Sequence, residues 1–147
     1  LGFNYRMTDI QAALGISQMS RLENFIECRH KIARRYDEAF KSLPITVPFQ
    51  SNESYSSYHL YPIRISKSKS GKVQRDVYDS LWQSGVAANL HYTPVHRHPF
   101  YESFGFREGD FPEAEKFHKE VISLPIFTRL GEEQNKVVLY LREIFSN

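Results

Sequence analysis

The chain has 147 residues, of which 41% are hydrophobic and 24% charged, with a formal net charge of +2. These values fit one globular domain, exclude a disordered chain, and give no support to nucleic-acid binding by bulk electrostatics. No stretch reads as a membrane span or a signal peptide, and the single cysteine, Cys28, excludes an internal disulfide and suits a reducing, cytoplasmic compartment.

The sequence starts at Leu1 within an apparent motif and reads as a piece of a longer polypeptide. Residues 1–6 are turn-prone and carry the amide of Asn4, the phenol of Tyr5 and the guanidinium of Arg6. On spacing alone this is an ordinary capped loop. Thr8 is suited to cap a helix, because its hydroxyl can accept from an orphan N–H of the first turn, and Asp9 complements the helix dipole. The spacing predicts a single helix from Thr8 to about Lys41. Ala12, Ile16, Met19, Leu22, Ile26, Ala33, Tyr36 and Phe40 recur at three- and four-residue steps. Ile10, Ala13, Leu14, Phe25 and Ile32 make a second stripe, which predicts packing on two sides. Gly15 costs this helix about 1 kcal/mol relative to Ala and suits a close approach by another backbone. The basic run Arg21, Arg29, His30, Lys31, Arg34 and Arg35 reads as a solvated face.

Pro44 ends the helix. Residues 45–49 suit a short edge strand, since Pro48 has no place in a central one. Alternation predicts a strand over residues 58–66, a helix over 72–84 closed by Gly85, and a strand over 86–92. Residues 93–111 read as irregular. A helix follows from Pro112 to Val121, then an extended run at 123–127 and a terminal helix over 131–145. This order predicts an α+β fold, with a small, mostly antiparallel sheet covered by helices. The domain division expected is a connecting motif and long helix over residues 1–41, then a small domain over 42–147.

The densest polar cluster is His91-Tyr92-Thr93-Pro94-Val95-His96-Arg97-His98. A zinc site would use His91, His96 and His98, but no Glu or Cys stands at helical ligand spacing, so no metal is expected. A substrate-contact or acid–base role and an ordinary surface loop fit this spacing equally well. His59 reads as a packed, hydrogen-bonded histidine. Asp110, Glu113 and Glu115 read as dipole complements at a helix start, in preference to a catalytic carboxylate pair.

The stretch Gly2-Phe3-Asn4-Tyr5-Arg6-Met7-Thr8-Asp9-Ile10-Gln11-Ala12-Ala13-Leu14-Gly15 resembles the signature of the DegT/DnrJ/EryC1/StrS family of pyridoxal-phosphate-dependent sugar aminotransferases. Tyr58-His59-Leu60-Tyr61, Leu90 to His96, Gly109 to Glu115 and Ser123 to Phe127 match family motifs in the same order. Within the family, residues 89–96 and 105–111 look most like the transaminases of pseudaminic acid synthesis, which act on a UDP-linked 4-keto-6-deoxy sugar. The resemblance implies the small C-terminal domain of a fold type I transferase, without the large domain that carries the aldimine lysine. It therefore implies pyridoxal 5'-phosphate as cofactor of the full-length parent, not bound to this fragment, with glutamate as amino donor and a nucleotide sugar as acceptor. It implies a cytoplasmic homodimer in which Asn4 and Arg6 reach the cofactor of the neighbouring subunit. His91, Tyr92 and His96 are implied as substrate-binding residues, and no catalytic residue falls within this chain. Two alternatives stay open: a pyridoxal-dependent deoxysugar dehydratase, and a non-enzymatic dimerisation module. An exposed apolar patch is expected near Ile10, Leu14 and Ile16, with self-association as its consequence.

Overall fold

The computed structural model describes residue 3 and residues 5–146. Its elements run α1 (Asp9–Met19), α2 (Leu22–Phe40), β1 (Tyr61–Arg64), α3 (Lys67–Ser70), α4 (Gln74–Gln83), α5 (Pro99–Glu102), α6 (Pro112–Glu120), β2 (Val121–Leu124) and α7 (Glu133–Ser146), with a 3₁₀ turn at Val95–Arg97 before α5.

Where the spacing predicts one long helix there are two. Thr8 does cap α1, in a capping box: its Oγ1 accepts from the Gln11 N–H at 3.3 Å, and Gln11 Oε1 accepts from the Thr8 N–H at 2.9 Å. The break at Ser20–Arg21 has a local cause. The Arg21 N–H bonds the carbonyl of Gln18, three residues back, at 3.0 Å, and the Ser20 hydroxyl donates to the Ser17 carbonyl at 2.9 Å. Such back-bonding competes with the helical ladder and bends it. Arg21 then sits at φ −111°, ψ 0°, outside the helical range, and the chain restarts as α2. The predicted two-sided packing fails for α1, which has no buried residue. Only α2 reaches the core, through Ile32, Ala33, Tyr36 and Phe40.

β1 and β2 pair antiparallel, with Tyr61 opposite Leu124 and Arg64 opposite Val121. The strand period of two sends Tyr61, Ile63 and then Ile65 inward. A single bridge flanks each strand, Thr46 to Arg64 and Asn89 to Ser123. The strands predicted at 45–49 and 86–92 shrink to those bridges. In the first, Pro44 and Pro48 remove ladder donors. In the second, the backbone is committed to α4: the Val86 N–H bonds the Leu81 carbonyl and Trp82 Nε1 bonds the Ala88 carbonyl, both at 2.9 Å. Residues 67–70, between the strand and helix that the spacing predicts, close one helical turn as α3.

α7 packs on both α2 and α4, and α4 reaches β2. Their apolar faces meet in one core that includes Tyr36, Phe40, Tyr61, Ile63, Leu81, Ile122 and Leu141. The aromatic centre is ordered by polar tips. The Tyr36 and Tyr61 rings lie 5.0 Å apart; the Tyr36 hydroxyl donates to the Pro125 carbonyl at 3.0 Å and the Tyr61 hydroxyl to Asp37 at 2.5 Å. Gln134 of α7 is buried and donates to the Ile32 carbonyl of α2 at 2.7 Å. Among the described residues, no helix is long and apolar enough to cross a membrane.

Candidate functional site

The histidine-rich stretch divides between two places. His91 lies at the end of the segment bridged to β2, where the Asn89–Ser123 pair holds the backbone. It lines a cavity of about 600 Å³ between the 84–91 segment, residues 123–127 and the start of α7. The floor is aliphatic, with Val86, Leu124 and Val137; the rim is polar, with His59, Asn89 and His91. Lys136 is also at the rim and is neutralised by Glu133 at 2.8 Å. This combination suits an uncharged polar ring: apolar surface for its face and a few convergent donors and acceptors for its edge.

His91 Nδ1 lies 2.9 Å from Ser123 Oγ. A serine–histidine pair invites a nucleophile reading, but Ser123, although it lines the cavity, is only 3% exposed, which leaves its hydroxyl little surface to offer a substrate. The Tyr92 ring packs 4.6 Å from His91, across a cis His91–Tyr92 peptide, and is 72% exposed. His91 and Tyr92 are thus brought together, one at the cavity and one beside it in solvent.

His96 is elsewhere. It is 7% exposed, with Nε2 2.9 Å from Glu115 Oε1 and the Phe111 ring 4.8 Å from its own. Glu115 is more than the dipole complement expected of it. Its Oε1 also accepts from the Gly109 N–H at 2.7 Å, from a backbone at φ 97° that glycine adopts freely. That N–H, and then the bond to His96, hold the Glu115 carboxyl below its ordinary value of 4.5. The pair ties residues 93–98, the 105–111 loop and α6 together. His98 points its Nε2 to the Thr93 carbonyl at 3.3 Å, so the three imidazoles of the stretch bond three different partners. No spacing signal marks Ser123 or Glu115 as a partner, because each is far along the chain from its histidine.

Two further readings change. His59 is exposed at the cavity rim, not packed, because Tyr58 takes φ 46° and resets the alternation before β1 begins. Arg29 is not part of a solvated face. Its Nη1 donates to the carbonyls of Tyr58, His59 and Ile126 at 2.8, 3.1 and 2.8 Å, joining α2 to both segments that edge the cavity. An unpaired run of carbonyls was the signal that could have found it, but that run exists only after folding.

Asn4 lies outside the described residues. Arg6 is exposed, next to the stacked and exposed rings of Phe3 and Tyr5, 5.6 Å apart.

With this geometry in hand, comparison with known proteins is decisive at the family level. The profile of the DegT/DnrJ/EryC1/StrS aminotransferase family matches residues 1–142. The chain belongs to that family. It is 33% identical over 147 residues to the spore coat polysaccharide biosynthesis protein SpsC of Bacillus subtilis (strain 168), covering 97% of this chain and 38% of SpsC. It superposes on Helicobacter pylori PseC, an aminotransferase involved in the biosynthesis of pseudoaminic acid, with a TM-score of 0.87 and 30% identity, over 99% of this chain and 39% of that one. The PLP form of Spr1654 from Streptococcus pneumoniae gives a TM-score of 0.86 at 30% identity, over 96% of this chain and 36% of that one. This DegT/DnrJ/EryC1/StrS chain therefore spans little more than a third of the length of these relatives. Its α+β fold is that of the corresponding part of sugar aminotransferases, helices around a small antiparallel sheet.

The family is pyridoxal-phosphate-dependent, and that group needs a phosphate cradle and an aldimine lysine. The described residues do not form its site alone. The cavity at His91 has one ammonium, Lys136, already held by Glu133, and an aliphatic floor where a phosphate would need converging N–H groups. No step through the cofactor is assigned to this chain.

Proposed function

We propose that the chain is the small C-terminal domain, residues 42–147, and connecting segment, residues 1–41, of a cytoplasmic pyridoxal-phosphate-dependent aminotransferase. Its acceptor is a nucleotide-linked 4-keto-6-deoxy sugar and its donor is glutamate. The observation that carries this reading is the family match over residues 1–142 at little more than a third of the relatives' length. PseC, a neighbour at TM-score 0.87, supports a sugar of the pseudaminic acid route. In this reading His91 and Tyr92 contact the sugar nucleotide from the small-domain side, the cavity beneath His91 receives part of it, and His96 acts from the loop that its bond to Glu115 holds. Asn4 and Arg6 belong to an arm that reaches the cofactor of a neighbouring subunit in a homodimer; the exposed position of Arg6 is compatible with such an arm.

The test has two arms. The 147-residue chain alone, given pyridoxal phosphate and borohydride, yields no stoichiometric lysine adduct and no turnover; a trapped adduct that aminates a 4-ketosugar nucleotide would refute the silent-fragment reading. The chain joined to the preceding large domain converts the 4-ketosugar nucleotide and glutamate to the 4-amino sugar. A deoxygenated product there turns the assignment to the dehydratase.

A dimerisation role has one observation of its own. α1 exposes Ile10, Leu14, Ile16 and Met19, with Ile10 at 84% and Leu14 at 61%. Sedimentation at high concentration shows a dimer that Leu14→Glu dissolves; a strict monomer in both removes this reading.

A further inference from the structure

The His91 imidazole is held by the chain at one atom. Nδ1 meets Ser123 Oγ at 2.9 Å, and Nε2 makes no bond to the described residues. Ser123 is buried. Its backbone N–H and C=O are both engaged with Asn89, at 2.8 and 3.0 Å. A buried hydroxyl hydrogen needs an acceptor, and His91 Nδ1 is the one that Ser123 reaches among the described residues. A ring nitrogen that accepts carries no proton in the neutral imidazole, so the ring proton sits on Nε2.

We propose that Ser123 is a positioning residue for the cavity: it fixes His91 as the Nε2–H tautomer, so that the ring presents a hydrogen-bond donor, not a base, to an oxygen of the bound sugar nucleotide. The proposal rests on the reading of His91 as a substrate-binding residue and states how it binds. β2 does this with one residue. The Ser123 backbone fixes the 89–91 segment, which is no strand of its own, and the Ser123 side chain fixes the ring that this segment carries. The ligand group selected is an acceptor, a carbonyl or hydroxyl oxygen, while a ligand that can only donate finds no partner at Nε2.

Long-range ¹H–¹⁵N correlation spectra of the 147-residue chain, taken where the ring is neutral, report the tautomer directly. His91 is assigned by the signal lost in His91→Gln. The expected pattern is an unprotonated Nδ1 and a protonated Nε2. In Ser123→Ala the two nitrogens move toward a common averaged shift, and in Ser123→Thr, which keeps a hydroxyl, they return to the original pattern. A wild-type ring protonated on Nδ1 overturns the proposal even if no variant folds, and so does an unchanged pattern in Ser123→Ala. Adding UDP-N-acetylglucosamine separates this claim from the one beneath it. The Nε2–H tautomer with no ligand-induced shift keeps the Ser123 assignment and removes the substrate reading. The Nδ1–H tautomer with a ligand-induced shift does the reverse.

Discussion

α1 and α2 come from one apolar pattern and are separated by two residues, yet one buries four side chains and the other none. α1 is held by local bonds, the Thr8–Gln11 capping box and its own ladder. α2 is held by what meets it: the Tyr61 ring, the Pro125 carbonyl and Gln134 of α7. The difference teaches that periodicity locates an apolar face without supplying a surface to cover it. Helices gain most of their stability from such a surface.

The contrast can be broken hardest at Tyr36. Tyr36→Ala removes a fully buried ring and is expected to cost about 3–5 kcal/mol, read as a lower urea midpoint, while Leu14→Ala in α1 stays within about 0.5 kcal/mol. Equal losses would mean that α1 is as integral as α2.

High pH attacks the same body. Burial raises the phenol pKa of Tyr36, Tyr58 and Tyr61 above the ordinary 10.0, with the hydroxyl bond to Asp37 adding to it at Tyr61 and the Asp37 charge at Tyr58. The folded chain therefore holds these protons longer than the unfolded one. The stability they confer is complete below pH 10 and falls as pH rises above it. Denaturant midpoints from pH 8 to 11 should show that decline, and it should be shallower in Tyr61→Phe. A flat profile contradicts the packing around α2.

A smaller loss is expected from Gln134→Ala, about 1–3 kcal/mol for a buried hydrogen bond between α7 and α2; calorimetry gives the value, and a loss near zero would show that apolar contact alone joins them. Smallest in global effect is Thr8→Ala. It removes the cap of α1, worth about 0.5–2 kcal/mol of local helix, and should speed amide exchange in residues 9–12 while leaving the urea midpoint unchanged. A shift of that midpoint would couple α1 to the core after all.

The site repeats the lesson of the helices. His91 and His96 stand five residues apart in one polar run, and composition could not separate them. Ser123 and Glu115 did, one from β2 and one from α6. His91 is left at a cavity rim with Nε2 unbonded to the described residues, while His96 is enclosed and joins three segments. Arg29 shows the same limit from the other side: a cation in a basic run reads as solvated until three carbonyls, from residues 58, 59 and 126, converge on it.

What the sequence by itself determined is therefore local and cumulative. The Thr8 cap, the inward set Tyr61, Ile63 and Ile65, the glycine stop after α4 and the ordered motifs of the DegT/DnrJ/EryC1/StrS family all depend on residues near one another in the chain. Only the tertiary structure decided which half of the long apolar pattern is covered and which histidine of the polar run faces the cavity. Those outcomes turn on partners such as Glu115, Ser123, Pro125 and Gln134, which lie 19 to 102 residues from the groups they meet, and such partners leave no periodicity to read.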